Sequence, residues 1–215
     1  SSRLSKADTL SKRTLDIAQK YHTPEQSECI LPKSPFPYLI CRMKHWIIRP
    51  GQPQDVPQAM QLVRELAEYE RAPQEVTNTD SEMLKDGFGE NAVFGLFVAE
   101  MNGDIVGIAL HYVRYSTWKG PTYHLEDLVV DESYRGRGLG GLLFRAVAQH
   151  AAALGAQRLH WEVLDWNTPA VRFYESLGAE IAQNWWPCRL DRAGLERLAG
   201  SSLPPVDSHN ATVLP

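Results

Sequence analysis

No stretch of this sequence approaches the roughly 18 unbroken apolar residues that a bilayer span needs, and the first thirty residues hold no signal-peptide apolar block. No membrane partner is expected, and the cytoplasm is the expected compartment. Cysteine is scarce. Cys29, Cys41 and Cys188 are odd in number, far apart and outside CxxC spacing, so neither a disulfide framework nor a zinc site is suggested. A basic surplus is missing as well: the formal net charge is -4. Residues 1–42 carry seven Lys/Arg against four Asp/Glu, while residues 43–200 carry fifteen against twenty-one. Neutralising phosphates needs a basic face, so nucleic acid is not an expected partner, and the acidic folded part suits a cationic substrate. No internal repeat is visible.

What is present is enough for one well-buried core: 215 residues with 43% apolar content. A Pro-rich segment (Pro32, Pro35, Pro37) precedes Met43, and the expected domain runs over 43–200. Residues 1–42 are read as a leader, disordered or a gene-start artefact. Leu4, Leu10, Leu15 and Ile17 leave a transit peptide as an alternative. The polar tail over 201–215 is expected to be disordered.

Inside the domain the hydrophobic period alternates. Lys44 to Arg49 reads as a strand. Val56, Met60, Val63, Leu66 and Ala67 then share a helical face, and Thr79-Asp80-Ser81-Glu82 forms a capping box for a second helix. Phe94–Met101 and Ile105–Tyr115 flank Asn102-Gly103, a hairpin signal. Thr122–Val130 is a further strand, Leu139–Leu154 a helix closed by Gly155, and Arg158–Leu164 a strand. A helix from Thr168 to Leu177 and a last strand through Trp185, Trp186, Cys188 and Leu190 complete the order β-α-α-β-β-β-α-β-α-β. The fold class is α+β, a mixed sheet with helices on both faces.

The run Leu128-Val129-Val130, then Arg135-Gly136-Arg137-Gly138-Leu139-Gly140-Gly141, is strand, loop, glycine turn and helix start. Glycines permit positive φ, so successive N–H groups can converge on one anion at a helix N-terminus. That describes a pyrophosphate cradle, with Arg135 and Arg137 able to add charge-assisted contacts. Gly136, Gly138 and Gly141 also fit the dinucleotide pattern G-x-G-x-x-G. Against that stand the intervening loop, the antiparallel strands before it and the short chain after it. A purely structural glycine turn is the third reading.

Arg135-Gly136-x-Gly138-x-Gly140 after a strand resembles the coenzyme A signature of the GNAT superfamily of N-acetyltransferases. Leu66-Ala67-Glu68-Tyr69-Glu70, Asp86-Gly87-Phe88-Gly89-Glu90, Leu125-Glu126-Asp127 and Asp165-Trp166-Asn167 narrow the resemblance to the diamine acetyltransferases. Ser116-Thr117-Trp118-Lys119-Gly120 is similar to the thialysine branch rather than the spermidine/spermine branch. The resemblance covers about residues 45–199 and implies a GNAT-like fold, acetyl-CoA as donor and a homodimer.

It also implies roles. Glu126 would bind and help to deprotonate the amine, and Tyr174 would act as general acid toward the sulfur of coenzyme A. Asn167, the turn residues and the backbone of Leu128, Val129 and Val130 would hold the donor. Tyr69, Glu70, Trp118, Glu126, His160, Trp161 and Glu162 would border the acceptor. Plainer readings stand beside these: a packed tyrosine at 174, helix capping by Asn167, a core Tyr69, a solvated Glu70 and a surface His160. Strand alternation sends Asp127 to the face opposite Glu126, as an accessory or surface charge, unless the strand bulges. His111 and His124 have no carboxylate or cysteine at metal-ligand spacing, and no metal is expected. Ser116 in place of an acid removes an anchor for a distant second ammonium, so thialysine or lysine is expected to be preferred over long polyamines. Acetylation of protein or peptide amines, and coenzyme A binding without turnover, are the alternatives.

Overall fold

The structure, a computed structural model, describes residues 27–30, 40–43 and 46–200. The tail, and most of the leader including the segment 3–20, lie outside the described residues. By compactness the chain falls into two units, one ending at Glu162 and one beginning at Val163.

The first unit is built on a mixed sheet whose seven described strands lie in chain order. They are β1 (Ser27–Ile30), β2 (Ile40–Met43), β3 (Ile47–Pro50), β4 (Gly95–Met101), β5 (Asp104–Ser116), β6 (Gly120–Val130) and β7 (Leu159–His160). All neighbours are antiparallel except β6 and β7, which run parallel. Between β3 and β4 come α1 (Val56–Tyr69) and α2 (Asp80–Phe88), and between β6 and β7 comes α3 (Leu139–Ala153).

Alternation along the strands feeds two cores. On one face Ile48, Phe97, Ala99, Ala109 and Leu125 pack with Leu139, Leu143 and Val147 of α3. On the other, Leu96, Val98, Ile108 and Val129 pack with Val56, Ala59, Met60 and Leu62 of α1 and Met83 of α2. Burying a side chain of this size contributes about 1.5–3 kcal/mol, so the helices are held by their apolar faces. Local signals agree with the packing. Thr79 caps α2 with the expected reciprocal box to Glu82. Asn102 and Gly103 turn the β4–β5 hairpin at φ 55 and 95. Arg49 ties β3 to the start of α1 by pairing with Asp55 at 2.7 Å, and reaches Glu100 on β4 at 2.7 Å.

The strand expected over Arg158–Leu164 is only two residues long, pairing with β6 at Tyr123 and His124. Pairing stops where β6 bulges, and a bulge bends the strand that carries it.

The second unit contains α4 (Thr168–Ser176) and α5 (Arg192–Gly200). The expected last strand does not form: Trp185, Trp186 and Leu190 are exposed and in no regular element. Pro187 sits inside that run and removes a ladder donor, which disfavours a strand. The helix that follows was not expected. Asp191 opens it by accepting from Gly194 N at 2.7 Å, and Arg192 pairs with Glu196 one turn on at 2.6 Å.

Candidate active site

The centre of β6 sets the geometry. Leu110 on β5 faces Asp127, yet the next residue, His111, faces Leu125. Glu126 is therefore the extra residue of a β-bulge. Asp127 shares the face of Leu110 and Val129, which is the α1–α2 side. His124, opposite Tyr112, lies on that side too, and Glu126 reaches Tyr112. The two carboxylates thus share a face, which corrects the expectation that Asp127 points away as a surface charge. Burial, then the charges of Glu126 and Glu70, push the Asp127 carboxyl up to about 6. Glu70, the residue capping the end of α1, is itself raised by desolvation. Two carboxylates acting on a third mark a place where a cation is welcome.

A row of side chains leads away from Glu126. The Tyr112 hydroxyl donates to Glu126 Oε2 at 3.0 Å, and burial followed by that carboxylate pushes the phenol up to about 12. His124 Nε2 lies 3.4 Å from the same oxygen. His124 stacks on His160 with ring centroids 5.3 Å apart, and their Nδ1 atoms are 3.2 Å apart. Arg114 Nη1 lies 3.3 Å from His160 Nδ1. Burial, Arg114 and His124, in that order, lower the His160 pKa. His160 is therefore more than a surface histidine.

Its neighbours diverge. Trp161, just past β7, packs edge-on against Phe144 of α3 at 5.1 Å and belongs to the α3 core, apart from the row that contains His160. The charge of Glu162 acts on both His160 and Tyr112. Trp118 is exposed in the β5–β6 turn, away from any core. Tyr69 is not a core residue: it is 41% exposed, and the Arg135 guanidinium lies over its ring at 5.6 Å.

The glycine turn follows directly. Gly136 and Gly138 adopt φ 75 and 83, and a Cβ at either would meet nothing within 4 Å. Glycine is therefore needed for conformation, not for room. Gly138 is the N-cap of α3 and brings no side chain to its first N–H groups. Buried Leu139 fixes the helix start in the core, with Gly140 and Gly141 in the first turn. An anion fits this donor set by hydrogen bonding and by the helix dipole. Both arginines fold back on the turn: Arg135 Nε donates to Val130 O at 2.9 Å, and Arg137 donates to Ser133 O at 3.0 Å. Val129 is buried, and Leu128 and Val130 pack on the α3 core. Among the described residues no strand pairs with β6 beyond His124 on the β7 side.

In the second unit, Asn167 caps α4, its Oδ1 accepting from Ala170 N at 3.3 Å. Tyr174 is 9% exposed, lies 5.2 Å from Phe173, and is pushed up to about 12 by burial. Among the described residues no group of three or more His, Cys, Asp or Glu is placed to hold a metal, and no helix is long and apolar enough to cross a membrane. Sequence reasoning missed Tyr112, Arg114 and the role of His124 beside Glu126. The alternation of Tyr112 and Arg114 was visible, but their register against β6 was not.

Comparison with known proteins places the chain in a family. The model of the acetyltransferase (GNAT) family matches residues 58–179. A thialysine N-epsilon-acetyltransferase of Bos taurus is 37% identical over 165 residues, covering 72% of this chain and 97% of that one. An integron cassette protein from the mobile metagenome of V. cholerae shares the fold at TM-score 0.62 and 23% identity, over 73% of this chain and 99% of that one. An aminoglycoside N-acetyltransferase in complex with CoA does so at TM-score 0.56 and 20% identity, over 79% of this chain and 99% of its own. The chain belongs to the acetyltransferase (GNAT) family.

Proposed function

We propose that the protein transfers the acetyl group of acetyl-CoA to a primary amine of a small molecule, a thialysine- or lysine-like amino acid or a short diamine. Transfer is by direct attack within a ternary complex. The observation that carries the reading is the bulge at Glu126, which brings Glu126 and Asp127 to one face of the strand that runs into the glycine turn. An amine arrives as an ammonium ion, which the carboxyl cluster attracts. It must lose a proton before its lone pair can attack the thioester carbon, and Glu126 is the acceptor for that proton. The turn from Arg135 to Gly141 holds the donor's diphosphate, and the backbone of Leu128 to Val130 holds its extended arm. Carbon–sulfur cleavage leaves a thiolate, to which Tyr174 supplies a proton. That phenol, pushed up to about 12 by burial, holds its proton at neutral pH. The relative named for thialysine supports the amine class, and Ser116 at the end of β5 supports a compact acceptor. The same reading carries a homodimer, for which sedimentation is the test.

A panel of amines with labelled acetyl-CoA tests the proposal. Thialysine or lysine should show the higher kcat/KM and spermidine the lower. A clear spermidine preference defeats the substrate class, and turnover of peptides alone defeats small-molecule acetylation. Tyr174→Phe should lower kcat more than it weakens binding of coenzyme A, and unchanged turnover removes its acid role.

A further inference from the structure

The row Arg114, His160, His124, Glu126 has a polarity fixed at both ends. A guanidinium can only donate and an ionised carboxylate can only accept. With Arg114 Nη1 3.3 Å from His160 Nδ1, that nitrogen must be bare to accept. The Nδ1 of His124, 3.2 Å from the same atom, is placed to share that one lone pair with Arg114 when it carries the ring's proton. A neutral His124 so oriented has a bare Nε2, and this nitrogen faces Glu126 Oε2 at 3.4 Å. Two acceptors facing each other form no bond, and the gap exceeds the roughly 2.7–2.9 Å of a charge-assisted hydrogen bond. One proton placed between them turns the gap into an ion pair.

We propose that His124 is the residue to which Glu126 passes the proton it takes from the amine, with Arg114 and His160 holding His124 in the tautomer that can receive it. The inference rests on the assignment of Glu126 as acceptor of that proton. The nitrogen–hydrogen bond of the ammonium breaks and an oxygen–hydrogen bond forms on Glu126. That proton moves to His124 Nε2, leaving an imidazolium beside a restored carboxylate, and then departs to solvent. Atoms and charge balance without a co-reactant. His124 and Arg114 act through Glu126 and His160, so both are positioning residues. The charged and titratable groups facing the pair are Tyr112 and Arg114 on β5, Glu126 on β6, and Arg158 and Glu162 beside β7. Asp127 and Glu70 act further along the same face.

The test uses the full chain with acetyl-CoA and thialysine, measuring kcat and amine KM between pH 6 and 9.5 for the unsubstituted enzyme, Glu126→Gln, His124→Ala and His124→Phe. The expected result is a fall in kcat of about 10²-fold for both His124 variants. Coenzyme A binding should stay within twofold, and the acid limb of the profile should move. Added imidazole should restore His124→Ala and leave Glu126→Gln inactive. Loss of activity in His124→Ala with neither imidazole rescue nor a changed profile means packing alone and overturns the relay. A normal His124→Phe beside a dead Glu126→Gln overturns the relay and leaves the function standing. A fully active Glu126→Gln removes both.

Discussion

Lowering the pH should destabilise this protein through one buried ring. His111 is 5% exposed, stacks on Phe97 at 5.3 Å and lies 5.0 Å from His150 and 5.8 Å from Tyr123. Its Nδ1 has no hydrogen-bond partner. Burial, and secondarily His150, lower it from 6.5 to about 4. The folded value lies below the unfolded one, so the unfolded chain binds the proton first as pH falls. The stabilisation is whole above pH 6.5 and is lost as pH drops through about 4. At about 1.4 kcal/mol per pH unit the loss is roughly 3 kcal/mol, a large share of the 5–15 kcal/mol typical of a domain. His150 is also lowered by burial and titrates in the same direction. Urea unfolding of the unsubstituted protein and of His111→Leu, followed from pH 7.5 to 4, isolates the effect, because the carboxyl groups are common to both. The stability difference should close on the variant's side by roughly 3 kcal/mol across that range. Parallel curves would refute the reasoning.

Gly95→Ala should cost about 1–3 kcal/mol in a thermal melt, because its Cβ would lie 2.6 Å from His111 Cε1 inside the core. Gly138→Ala meets open space, so the fold should survive about 1–2 kcal/mol of left-handed strain. Calorimetry should then show weaker binding of coenzyme A. Thr79→Ala removes an acceptor for Glu82 N and half of the capping box, and should cost about 0.5–2 kcal/mol by denaturant midpoint.

Most of the fold was legible because periodicity and punctuation agreed. The apolar stripe of α1, the box at Thr79, and the turn at Asn102-Gly103 each state a local preference that packing then honours. The run from Trp185 to Leu190 misled because apolar content without alternation, broken by Pro187, does not specify a strand. Asp191 was a readable cap for α5 that went unread. At the site, the glycine turn could be located since positive φ has a residue signature. The face of Asp127 could not, since a bulge is a property of two strands and only their register reveals it. The pairing of His124 with His160 was hidden for the same reason, as two parallel strands set it.

Striking Glu126 out of the chain would leave Leu125, Asp127, Leu128 and Val129 alternating between the two cores as an unbroken ladder would have them. The scaffold has no need of that residue. Frame and bulged carboxylate are thus separable in β6, and on the role proposed for Glu126 a shortened strand would keep its two cores and lose turnover.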